Sequence, residues 1–160
     1  FRRYEISAYA LEARSARHNL NYWKFGDYLG IGAGAHGKLT LLKTDPAGNL
    51  NGELQLQRRW KSRQPEAYLR RMQDPRGFVA GQQEIDRDEL ALEFMMNALR
   101  LTGGVSFEDL RRTTGLDREA LEPGLSQARS RGLIVEDDVL LRATPQGLLF
   151  LNDLLAMFDT

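Results

Sequence analysis

Signals that start and stop helices recur so closely in residues 84–160 that this stretch has to fold as short helices joined by tight turns. Asp86 followed by Glu89 resembles a capping box, and Leu90, Ala91, Phe94, Met95, Ala98 and Leu101 form an apolar stripe at helical spacing that Gly103-Gly104 closes. Ser106, with Asp109 three residues on, opens a second helix that stops at Gly115. Asp117 opens a third segment running to Gly132, in which Pro123 must kink the helix or start a fresh one. Residues 133–136 and 139–142 read as two strands around the Asp137-Asp138 turn. Thr144-Pro145 then caps a last helix with Leu148, Leu151, Leu155 and Phe158 on one face.

Helix, helix, helix, hairpin, helix is the order of a winged helix-turn-helix, so residues 84–160 are expected to be a winged-helix-like domain. Its charge argues against DNA. Residues 117–131, in the recognition-helix position, carry three Arg and three Asp/Glu, and the wing tip is acidic. Phosphates would repel those carboxylates, so the reading is a domain that packs on a neighbour and binds no DNA. The chain as a whole has 22 basic and 22 acidic side chains, yet residues 1–83 hold 14 basic and 7 acidic ones and residues 84–160 hold 8 and 15. That asymmetry puts a boundary near Gln83.

Residues 28–35, Tyr-Leu-Gly-Ile-Gly-Ala-Gly-Ala, read as a buried strand ending in a glycine-rich turn. Residues 38–43 and 52–60 read as strands, Pro65 to Gln73 as a short basic helix, and Asp74-Pro75-Arg76-Gly77 as a turn. Three clusters in this half have chemical potential. In His18-Asn19-Leu20-Asn21-Tyr22-Trp23 an imidazole stands beside amides and aromatic rings, a set that could face a metal-centred macrocycle, although a packed aromatic corner with a hydrogen-bonded histidine is the plainer reading. The glycines of residues 30–37 allow close backbone approach to a nucleotide, but lack the lysine and hydroxyl ending of a phosphate loop; tight strand packing is the plainer reading. Arg58, Arg59, Lys61, Arg63, Arg70, Arg71 and Arg76 would suit a polyanionic ligand or a solvated face.

Composition removes other chemistries. With no cysteine there is no disulfide, thiolate zinc site, cysteine nucleophile or thiolate-held iron–sulfur cluster on this chain. No apolar run reaches about 18 residues and the first residues lack an apolar signal stretch, so no transmembrane segment and a cytoplasmic location are expected. The chain starts without Met in what reads as a strand, which suggests a piece of a longer protein.

Tyr4-Glu5-Ile6-Ser7-Ala8-Tyr9-Ala10, the HNLNYW run, residues 28–36 and Met95 to Leu101 together resemble the C-terminal part of the oxygen-independent coproporphyrinogen III oxidase family, in particular its haem-chaperone branch. The resemblance implies an α+β fold: terminal strands of an incomplete radical S-adenosylmethionine (β/α) barrel in residues 1–45, a basic connecting segment in 46–83, and the winged-helix-like domain in 84–160. It names His18, Asn19, Tyr22 and Trp23 as a haem site, with His18 on the iron, and puts Gly32, Ala33, Gly34 and Ala35 near the adenine of S-adenosylmethionine. The four-iron four-sulfur cluster would belong to the longer parent. The implied function is a haem chaperone that delivers haem to apo-haemoproteins. The alternatives are the oxidase itself, which decarboxylates porphyrinogen propionates, and a winged-helix interaction module. Unclosed barrel strands would also let the chain self-associate.

Overall fold

A computed structural model describes residues 1–75 and 77–159. In chain order the strands are β1 (Arg2–Glu5), β2 (Ala8–Ala10), β3 (His36–Thr44), β4 (Leu50–Lys61), β5 (Val79–Glu84), β6 (Val105–Ser106), β7 (Ile134–Glu136) and β8 (Leu140–Ala143). The helices are α1 (Arg17–Trp23), α2 (Pro65–Arg70), α3 (Leu90–Ala98), α4 (Phe107–Thr114), α5 (Glu122–Ser130), α6 (Pro145–Leu149) and α7 (Leu151–Leu155). Two compact units result, Phe1–Gly26 with Asp86–Thr160, and Asp27–Ile85. Three small antiparallel sheets, none closed into a barrel among the described residues, accompany a largely helical C-terminal region, which is the mixed fold class expected.

The first unit is built on its caps. Ser106 Oγ accepts the Asp109 N–H at 3.0 Å, and α4 stops at Gly115 in the left-handed region (φ 71°), as its sequence demands. Thr144 Oγ1 likewise accepts the Gly147 N–H at 3.0 Å, and α5 starts afresh at Glu122 with Pro123 in its first turn. Asp137 Oδ1 accepts the N–H groups of Val139 and Leu140, supplying the turn that has no glycine. Phe94, Met95, Leu110, Leu121, Leu125, Leu141 and Leu154 fill the core. Gly124 and Gly147 allow close packing: a Cβ would lie 2.5 Å from the Phe158 ring and 2.0 Å from the Leu133 carbonyl oxygen, respectively.

Three local expectations are corrected. Asp86 makes no side-chain cap; a 3₁₀ turn over Arg87–Glu89 leads into α3 instead. The last helix breaks at Phe150 (φ −110°, ψ 40°), and this turns Leu154, Met157 and Phe158 inward in place of the expected stripe, of which Phe158 alone is fully buried. Residues 29–35 are not a strand. Left-handed Gly32 (φ 99°) and Gly34 (φ 72°) bend the chain, Leu29 and Ile31 are 75% and 88% exposed, and Tyr28 alone pairs, with Lys38.

In the second unit β3, β4 and β5 form an antiparallel meander. β5 is a strand whose sequence, Val-Ala-Gly-Gln-Gln-Glu, gave no apolar alternation. Gly81 sits opposite Trp60, and a Cβ there would meet the indole at 2.4 Å, so the glycine marks a close approach. α2 packs Tyr68 in a stack with Phe78, ring centroids 4.6 Å apart. Within the expected turn at 74–77, Arg76 lies outside the described residues.

Candidate functional site

The HNLNYW run, with Arg17, forms α1, a single short helix with no buried residue of its own. Its position depends on distant side chains. Asn19 Nδ2 donates to the Tyr4 hydroxyl of β1 at 2.9 Å, and the Arg100 guanidinium lies over the Trp23 ring at 4.3 Å. Arg100 also donates to Glu5 Oε2 at 3.2 Å; Glu5, 1% exposed, accepts the Ser7 N–H and hydroxyl on its other oxygen. Backbone bonds from Ile6 N to Arg100 O and from Thr102 N to Tyr4 O tie the same two segments together. Just past the helix, Lys24 Nζ meets Asp109 Oδ2 at 3.2 Å, and Phe25 sets its ring edge-on to Phe94. Burial pushes the Asp109 carboxyl up, but hydrogen bonds from Arg112, Lys24 and Ser106 outweigh it and hold the group below the usual aspartate value.

Against this fixed side, His18 is exposed. Its ring sits edge-on to Tyr22 at 4.8 Å, the contact of residues four apart on a helix, and among the described residues no hydrogen bond or ion pair engages its nitrogens. An unengaged, exposed imidazole is chemically suited to hold a haem iron. Trp23 is half-buried with one face under Arg100, and its indole N–H has no partner among the described residues. Tyr4, Glu5 and Arg100 were therefore missed by spacing: they lie outside the HNLNYW run, and Arg100 is 77 residues from Trp23 in sequence.

Gly32 to Ala35 lie in the other unit. Gly34 N donates to Ser62 O at 2.8 Å and Lys61 N to Ala35 O at 2.9 Å, so the loop is stitched to the end of β4. A hollow of about 410 Å³ lined by His36, Trp60, Lys61 and Arg63 opens beside it. Space over Gly32 is open, which leaves its backbone approachable. Asp27 anchors the loop's start, accepting from Thr40 N (2.9 Å), Thr40 Oγ1 (2.8 Å) and Lys38 Nζ (3.2 Å). Gly37 is buried, and a Cβ on it would come within 3.0 Å of the Tyr28 carbonyl oxygen. Within the basic run, Arg71 is a bracket that donates to Ser62, Asp74 and the Val79 carbonyl, while Arg63 and Arg70 are exposed.

The donor set does not fit a thiolate-held iron–sulfur cluster, since the chain has no cysteine and the described residues contain no group of three His, Asp or Glu placed to hold a metal ion. No helix among the described residues is long and apolar enough to cross a membrane.

Residues 85–150 match the HemN C-terminal domain. The heme chaperone HemW of Haemophilus influenzae is 37% identical over 160 residues, covering 100% of this chain and 38% of that protein. HemW of Escherichia coli is 35% identical over 158 residues, covering 99% of this chain and 38% of its own length. Among solved structures, the coproporphyrinogen III oxidase HemN of Escherichia coli, a radical SAM enzyme, aligns with a TM-score of 0.51 over 84% of this chain and 29% of that chain, at 15% identity. At that identity the likeness shows the fold. The chain thus carries a HemN C-terminal domain over residues 85–150, is similar along its whole length to HemW proteins, and spans 38% of the length of the HemW relatives it matches.

Proposed function

We propose that this chain is the C-terminal part of a haem chaperone that holds haem at α1 and delivers it to haemoproteins. The observation that carries the reading is the two-sidedness of α1: Tyr4, Arg100 and Glu5 lock its Asn19 and Trp23, while His18 on the same helix faces solvent with both ring nitrogens unengaged. When bound, haem would supply an iron that an imidazole nitrogen can hold. His18 is the ligand in this reading, Tyr22 orients its ring, and Asn19 and Trp23 fix the helix that presents it. An exposed ligand suits a carrier, because a haem held at a surface can leave without unfolding its site. HemW relatives, named heme chaperones and alignable over the whole chain, support the same reading.

Gly32 to Ala35 are assigned to S-adenosylmethionine, near its adenine, in the longer protein. The loop's approachable backbone supports this. Residues 84–160, winged-helix-like in the element order expected from sequence, act in this reading as a packing module in the cytoplasm and do not bind DNA. Supporting this, Arg118 and Arg129 in the recognition-helix position are already engaged by Glu122 and Glu136.

Haem handover by the longer parent to an apo-globin is the test. Transfer by the wild type and its loss in His18→Ala are expected. Decarboxylation of coproporphyrinogen III by the reconstituted parent, without haem retention, would contradict the chaperone reading and establish the oxidase.

A further inference from the structure

The β7–β8 hairpin has one face in the core and one outside it. Ile134 and Ala143 are paired and buried, whereas Val135 and Arg142, also directly opposite each other, stand on the other face. Such an outward face is ordinarily polar. Here it floors a hollow of about 700 Å³ that Leu148 and Leu149 of α6 wall on one side and Arg3 and Ile6 of the β1 segment wall on another. Leu149 is 82% exposed and Val135 is 47% exposed, so apolar surface remains in contact with water.

The hollow is held open by rigid contacts. Thr144 caps α6, and Gly147 lets that helix seat against the Leu133 carbonyl, which fixes the direction of Leu148 and Leu149. Left-handed Gly104 (φ 83°) sits so close to β8 that a Cβ would lie 2.9 Å from Arg142 Cβ, which fixes the root of that arginine. Thr102 Oγ1 donates to the Arg3 carbonyl at 2.9 Å and holds the opposite wall. Both arginines are exposed, and among the described residues neither guanidinium has a hydrogen bond or an ion pair. The nearby acid is Asp137, which feels the charge of Arg142 but spends its own oxygen on the Val139 and Leu140 N–H groups.

A floor of Val135 beside Arg142, leucine walls and the Arg3 and Arg142 guanidiniums select a ligand with an apolar body and a carboxylate. We infer that this hollow is a binding site for a single-chain apolar carboxylate of the fatty-acid type, with Arg3 and Arg142 taking the carboxylate and Val135, Leu148 and Leu149 the chain. It lies apart from the HNLNYW residues and does not depend on the haem reading. Its volume lies in the range of small-molecule pockets.

The test is an amide NMR titration of the chain with sodium decanoate and, separately, with decan-1-ol. Decanoate is expected to shift amides of β7, β8, α6 and the β1 segment in a saturable way and to bind more tightly than the alcohol. Arg3→Gln or Arg142→Gln should each weaken decanoate about tenfold, the scale of one charge-assisted hydrogen bond, and leave decanol unchanged. Leu149→Glu, at a position too exposed to disturb folding, should abolish decanoate binding by placing a carboxylate in the hollow. Equal binding of acid and alcohol, indifference to both arginine substitutions, or shifts confined to other elements would each overturn the proposal.

Discussion

Replacing Arg100 by Ala removes a side chain that touches both the buried Glu5 carboxylate and the Trp23 ring. The charge-assisted bond to Glu5 is worth about 1.5–3 kcal/mol, and the stacking on Trp23 adds about 0.5–1 kcal/mol at a partly exposed position. A buried carboxylate stripped of its only partner would cost more, but Glu5 keeps the Ser7 N–H (2.9 Å) and hydroxyl (2.7 Å), so the loss stops short of a stranded charge. Partial exposure of Arg100 discounts the sum further, and about 1.5–3 kcal/mol is expected. The two tryptophans, Trp23 and Trp60, lie in different units, so a Trp60→Phe background leaves Trp23 as the sole reporter of its own unit. Urea unfolding followed by that fluorescence measures the effect. Glu5→Gln in the same cycle should show a coupling of about 1–2 kcal/mol with Arg100→Ala. A loss under about 0.5 kcal/mol, with no coupling, would refute the idea that this pair positions α1.

Gly147→Ala should cost at least about 2 kcal/mol, because its Cβ would collide with backbone, whereas Gly103→Ala, with open space around it, should stay within about 0.5 kcal/mol; thermal unfolding compares them. Asp109 is held low in the folded state, so its ionised form stabilises the fold fully above the unfolded aspartate value of about 4 and that contribution fades as pH falls through the lower folded value. Asp109→Asn should flatten the acid limb of a stability–pH profile and weaken the tie to Lys24 at the end of α1.

Local chemistry made part of this molecule legible in advance. Ser106, Gly115, Thr144 and Pro123 act within a few residues of themselves, so their caps and starts form where the sequence places them. Failures occurred where a distant partner decides. Residues 28–35 look like a strand by apolarity, yet left-handed Gly32 and Gly34 and the bonds to Ser62 and Lys61 bend them into a loop. Strand β5 shows no amphipathic face because its place is set by pairing with β4 and by the Trp60 indole over Gly81. The HNLNYW cluster was visible as composition, but nothing nearby in sequence points to Tyr4, Glu5 and Arg100, which fix its helix.

The most direct measurement is a visible-absorption titration of ferric haem into the chain and its His18→Ala variant, with Arg100→Ala alongside. A saturable Soret shift that the wild type shows and His18→Ala lacks is expected, with Arg100→Ala binding more weakly while keeping the same band position. The same shift at the same affinity in the His18→Ala variant would contradict the assignment of haem to α1.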